Sequence, residues 1–231
     1  MRRFPIARFL LSTHLPFLAI VLPAMYLLVG VIVAVAVLMR GPATVSGVDL
    51  SGQVLHWLAV GYGYSAPGLL GTMLVHGRTR REFATQHPAF QLVTAVVLAA
   101  LITGVYAVEA VLYRAAGWTQ AMQPDRPFEA GDYPMIFVAN LSMLAIALLT
   151  GAFVGVALYR RTATGALALL PAAALLTYGG AAHGYFSLPF AQGAMQSGPA
   201  LLAVTAAAVV IGWALLWAYA RDVPLGNKVP A

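Results

Sequence analysis

Continuous apolar stretches of about 20 residues, the length a helix needs to cross a hydrocarbon core, recur along this chain. They fall near Pro16–Met39, Val54–Val75, Ala89–Tyr113, Pro134–Tyr159, Ala163–Ala181 and Pro199–Ala220. The stretches do not alternate apolar with polar residues, which selects helices over a membrane barrel. In lipid every backbone N–H and C=O must pair within the protein, and a helix does this by itself. Only 9% of the residues are charged, against roughly a quarter in soluble domains. Such a chain cannot be surfaced in water. The expected fold is an all-α integral membrane bundle of six spans. Residues 1–231 form one domain with short loops and no room for a large extramembrane part.

The basic residues set an orientation. Alternating the spans from an inside N-terminus puts Arg2, Arg3, Arg8, Arg78, Arg80, Arg81, Arg160, Arg161, Arg221 and Lys228 on one face, ten in all. The other face receives three, Arg40, Arg114 and Arg126. Asp49, Asp125, Glu129 and Asp132 also lie on that second face. The positive-inside rule therefore predicts two cytoplasmic termini and an even number of spans. The excess of positive charge reports topology here, not nucleic-acid binding. Cysteine is absent, which removes disulfides, thiol catalysis and cysteine metal sites. The N-terminal apolar run is too long for a cleaved signal and is interrupted by Pro16 and Pro23. An amphipathic interfacial helix over about Arg3–Thr13 is expected before the first span, with Phe4, Ile6, Phe9, Leu10 and Leu11 in the headgroup boundary.

Between the second and third spans runs Gly77-Arg78-Thr79-Arg80-Arg81-Glu82-Phe83, ending at Pro88. Thr79 and Glu82 have capping-box spacing, so a helix should begin there. The residue before proline avoids the helical region, so this helix should end before Pro88. It would present Arg80, Arg81 and Phe83 outside the membrane. That suits docking by a cytoplasmic partner, or simply a basic loop that sets orientation.

The Gly-x-Thr-Arg-Arg-x-Phe stretch resembles the first cytoplasmic loop of bacterial type-2 ABC transporter permeases. Gly151-Ala-Phe-Val-Gly155-Val-Ala-Leu-Tyr159-Arg160-Arg161 resembles the end of the fourth span in the same family. The layout is similar throughout, and Gly184–Pro199 resembles the family's external re-entrant segment between spans five and six. The resemblance implies the membrane subunit of an ATP-driven exporter, dimeric with itself or with a similar permease. Arg78, Thr79, Arg80, Arg81, Glu82 and Phe83 would form the coupling helix that contacts a separate ATPase subunit. ATP and Mg would be bound by that partner and no cofactor by this chain, which carries no G-x-x-x-x-G-K-[ST] loop. The cargo would be hydrophobic or amphiphilic, and the location a bacterial plasma membrane. In that family the second and fifth spans line the path. Tyr62, Tyr64 and Ser65, with Thr177 and Tyr178 opposite, would then face the substrate; ordinary interhelical hydrogen bonds are the other reading.

Three further features stand apart from the resemblance. Gly151 and Gly155 form a G-x-x-x-G, read as internal helix packing ahead of a dimer contact. Glu109 is the one acidic residue inside an apolar span. It is a candidate functional acid, or a structural group that meets another helix, the external loop or water. The histidines lie apart in sequence, with His56 and His183 toward the outer face and His76 and His87 toward the inner, and none shows metal-ligand spacing. Trp118, Trp213 and Trp217 fit interfaces or packing. The alternatives are a secondary transporter or channel, which would show a repeat with broken helices. An intramembrane enzyme would need a nucleophile–base pair or a metal set, and no such motif is found.

Overall fold

A computed structural model describes residues 5–159, 163–185 and 198–221. Its described residues form helices α1 (Pro5–Arg40), α2 (Gly47–Tyr64), α3 (Ala66–Val75) and α4 (Arg80–Ala116). There follow α5 (Tyr133–Tyr159), α6 (Ala163–Leu167), α7 (Leu169–Ala182) and α8 (Gly198–Ala220). Counting α2 with α3, and α6 with α7, six helical units are long and apolar enough to cross a membrane. The protein is therefore a multi-pass helical membrane protein. Arg2, Arg3, Arg160, Arg161, Lys228 and most of the Gly184–Pro199 segment lie outside the described residues.

Helix α5 is the hub. Its sequence is apolar all round, the pattern of a helix buried on every side, and Met143 to Ala152 are buried without a break. Helices α2, α4, α7 and α8 all pack on it. The closest approach is to α2. A Cβ at Gly63 would overlap the Leu148 carbonyl oxygen, and a Cβ at Gly151 or Gly155 would overlap the carbonyl of Val60 or Tyr64. The G-x-x-x-G is thus an internal crossing, where absent side chains let two backbones touch. On the opposite side Thr205 Oγ1 of α8 donates to Ser142 Oγ of α5 at 2.9 Å.

The start of α1 and the end of α8 lie at the same end of the bundle. Ile6 and Leu10 share one apolar cluster with Phe83, Phe90, Leu216 and Ala220. Ile6 and Leu10 are buried in protein while Phe9 is exposed, and α1 runs unbroken from Pro5 to Arg40. The Ile6 N–H, an orphan of the first helical turn, donates to Gln86 Oε1 at 2.8 Å. Beyond that end α1 stands apart, with Leu27, Leu28, Ile32 and Leu38 exposed.

The Thr79–Glu82 capping box is present as the spacing predicts. Glu82 N donates to Thr79 Oγ1 at 3.1 Å, and Thr79 N donates to Glu82 Oε2 at 2.9 Å. The expected stop before Pro88 is not: α4 continues through Pro88 to Ala116. Pro88 has no N–H to offer the carbonyl of residue 84. Trp213 Nε1 of α8 donates to Ala84 O instead, at 3.1 Å. A tertiary donor thus replaces the missing backbone one, as membrane helices containing proline allow. Trp213→Phe should cost about 1–3 kcal/mol by orphaning that carbonyl. In a Pro88→Ala background, where a backbone N–H returns, the cost should shrink toward zero. Thermal unfolding of the four proteins of this double-mutant cycle checks it.

Candidate functional site

The expected coupling element lies at the end where α1 starts. Arg78, Thr79 and Arg81 are exposed, Arg80 and Glu82 half-buried. Arg78 approaches Glu82 at 3.9 Å across exposed surface. Phe83 departs from expectation. It is wholly buried, stacked on His87 with ring centroids 4.7 Å apart, so it faces the bundle. The charged face therefore consists of arginines set on a capped helix start, with Phe83 anchoring that start from below.

The five expected path residues stand in different surroundings. Tyr64, Ser65 and Thr177 are exposed on the bundle surface, and Tyr178 is half-buried. Ser65 marks the break between α2 and α3, and its hydroxyl donates to Tyr62 O at 2.7 Å. Tyr62 lines an apolar crevice of about 370 Å³ between α1 and α2, beside Phe17, Met25, Leu58 and Leu98. Its ring meets His14 edge-on, and its hydroxyl is buried without a hydrogen-bond partner.

A dense polar constellation lies at the opposite end, built from residues far apart in sequence. Asp49, in the first turn of α2, and Arg126, in the loop after α4, form an ion pair at 2.8 Å with side chains 1% and 2% exposed. Tyr106 Oη donates to Asp49 Oδ1 at 3.1 Å, and Gln123 N donates to Oδ2 at 2.8 Å. Arg126 Nη1 donates to His183 O at 3.1 Å, and its guanidinium covers the Tyr185 ring at 4.8 Å. His56 Nδ1 is hydrogen-bonded to Tyr185 Oη. The His56 and His183 rings, far apart in sequence, sit edge to face at 4.5 Å. Burial, then His56 and Arg126, hold His183 well below the ordinary imidazole range. Burial raises the Tyr185 hydroxyl above its usual range, with Arg126 opposing. Among the described residues no group of three metal-ligating side chains occurs.

Loop geometry delivers Arg126 to this place. The 42–46 and 119–121 segments are tied together, with Ser46 N donating to Ala121 O at 2.8 Å and Thr119 N to Ala43 O at 3.1 Å. Asp125 takes a left-handed φ of 68°, a conformation Asp tolerates better than most residues. A Cβ at Gly184, itself at φ +77°, would overlap Asp125 O, so the end of α7 seats this turn.

Glu109 is buried at 8% exposure beside this cluster. It meets both another helix and the loop after α4. Gly47 N and Val48 N donate to Oε1 at 2.8 and 3.1 Å, and Ser46 Oγ and Gln120 Nε2 donate to Oε2 at 2.5 and 2.8 Å. The carboxyl therefore receives the orphan amides at the start of α2, where negative charge is favoured. The one sequence signal for this region is Ser46-Gly-Val-Asp49, a second S-x-x-D cap spacing. The Ser46 hydroxyl accepts from Asp49 N at 3.1 Å. No family model, curated protein or solved structure matches the chain.

Proposed function

We propose that this chain is the permease subunit of an ATP-driven ABC exporter, working as a dimer with ATPase subunits carried on separate chains. The observation that carries the reading is the start of α4. A complete capping box fixes its first turn at the junction of two spans, and Arg78 and Arg81 project from it into solvent. A rigid, exposed, basic helix start welded to a membrane span can receive force from a cytoplasmic motor and pass it into the bundle. Phe83, buried beneath it, couples that turn to α5 and α8 through the shared apolar cluster. In this reading both termini are cytoplasmic and the arginine-rich end faces the ATPase. The buried Asp49–Arg126 cluster then closes the outer end.

Arg80→Glu combined with Arg81→Glu should lower ATPase association at least about tenfold, since like-charge contacts replace complementary ones. The bundle should keep its unfolding temperature, because Arg81 is exposed and Arg80 half-buried. Co-purification and ATP hydrolysis in proteoliposomes check both. Intact assembly by the double mutant would remove the coupling role. A secondary transporter is the second reading, favoured by the break at Ser65 within a span. Transport that follows an ion gradient without any ATPase would establish it.

A further inference from the structure

A second crevice, of about 480 Å³, opens sideways between α1 and α4 at the loop end. That volume is within the range of small-molecule sites, roughly 300–1,000 Å³. Its walls are apolar along most of their length, formed by Leu27, Gly30 and Val33 of α1 and Val105, Val108 and Leu112 of α4. Toward the loop after α4 the lining changes: Glu109 and Tyr113, which both approach the Gly47 N–H, lie there with Trp118. The Tyr113 and Trp118 rings meet edge to face at 5.4 Å. The Tyr26 hydroxyl is buried with no hydrogen-bond partner.

The charge balance at this end is uneven. All four groups bonded to Glu109 are neutral donors, which satisfies a carboxylate's oxygens without cancelling its charge. Among the described residues no cation pairs with it. Arg114 Nε donates to Ala110 O, and Arg126 is committed to Asp49. What the site lacks is positive charge, not a hydrogen-bond donor. A quaternary ammonium supplies charge without donors, and aromatic faces beside a carboxylate stabilise it. The apolar walls running away from that end suit a single hydrocarbon tail.

We propose that the α1/α4 crevice binds a single-tailed amphiphile with a quaternary ammonium head, the head at Glu109, Tyr113 and Trp118 and the tail along Leu27 and Val105. A phosphocholine lipid fits less well, because its phosphate would be brought against Glu109. The site belongs to this chain alone and does not depend on an ATPase. A binding measurement without ATP or partner therefore keeps its outcome separate from that of the exporter reading.

The test is equilibrium binding of radiolabelled dodecyltrimethylammonium to the full chain in phosphatidylcholine nanodiscs, with empty discs subtracted. The expected result is a saturable component that dodecyl maltoside and dodecylphosphocholine displace only weakly. Glu109→Gln should weaken it about tenfold or more, equivalent to roughly 1.4 kcal/mol. Gly30→Leu provides an independent variant, because a Cβ there meets nothing within 4 Å and the added side chain would occupy crevice volume while leaving the Glu109 carboxyl in place. It should weaken binding as strongly. The proposal is overturned by the absence of a saturable component, or by Gly30→Leu binding as the wild type does. It is equally overturned if the neutral or zwitterionic detergent competes as well as the cation, which would make the crevice a general acyl-chain groove.

Discussion

Arg126→Met should destabilise the folded protein by about 3–5 kcal/mol, the cost of leaving a buried charge without its partner. The Asp49 side chain would remain 1% exposed, with only the Tyr106 hydroxyl and the Gln123 backbone N–H to solvate its carboxylate. The same variant removes the bond to His183 O and the contact over Tyr185. The loop after α4 would lose Arg126 as its tie to α2 and to the end of α7. Two measurements check this: thermal unfolding in detergent, and the rate of limited proteolysis between residues 117 and 132, which should rise. Asp49→Asn should also destabilise, and the double variant should cost less than the sum by about 1–3 kcal/mol. Additive costs would mean the two side chains act separately, and the buried cluster would not be the lock on that end.

Substituting the glycines at the α2/α5 crossing should have the next largest effect. Gly63→Val and Gly151→Val should each cost about 3 kcal/mol or more, at or above the upper end of ordinary overpacking. The atoms a new Cβ would meet are backbone carbonyl oxygens, Leu148 O for Gly63 and Val60 O for Gly151. Backbone cannot turn aside as a side chain does, so the two helices must move apart. Because α5 is the hub, that movement disturbs the packing of α4, α7 and α8 as well. Gly61→Ala is the contrast. Nothing lies within 4 Å of a Cβ there, and the change should be neutral or stabilising by up to about 1 kcal/mol. Unfolding temperatures of the three variants in one detergent decide the matter. Equal values would show that α2 and α5 do not cross this closely.

These effects concern two parts of the molecule that differed in legibility. The G-x-x-x-G at Gly151 announced a close crossing, because small residues four apart in an apolar run have few other uses. Its partner on α2, Gly63, lay unmarked among the other glycines of its span. The capping box at Thr79 was legible for a similar reason: it is local, and its hydrogen bonds close within four residues. Pro88 misled for the opposite reason. Its effect on the helix is set by a donor on α8, 125 positions along the chain, and no local rule carries that information. The buried cluster was hidden in the same way. His56 and His183 looked scattered, and Asp49 and Arg126 looked like ordinary loop charges, until the fold superposed the ends of α2, α4 and α7.

The sequence by itself determined the solvent of this protein, and with it the secondary structure. Long apolar runs with few charges must reside in lipid, and lipid forces each run to satisfy its own backbone as a helix. That constraint acts run by run, so the number of spans and their approximate limits follow without knowledge of the neighbours. The tertiary structure decided which polar groups meet. In a bundle any of several helix faces can turn inward, and the choice depends on packing against α5. Only that packing buries Asp49 against Arg126, donates Trp213 to the carbonyl that Pro88 abandons, and leaves Glu109 with neutral donors at the mouth of an apolar crevice.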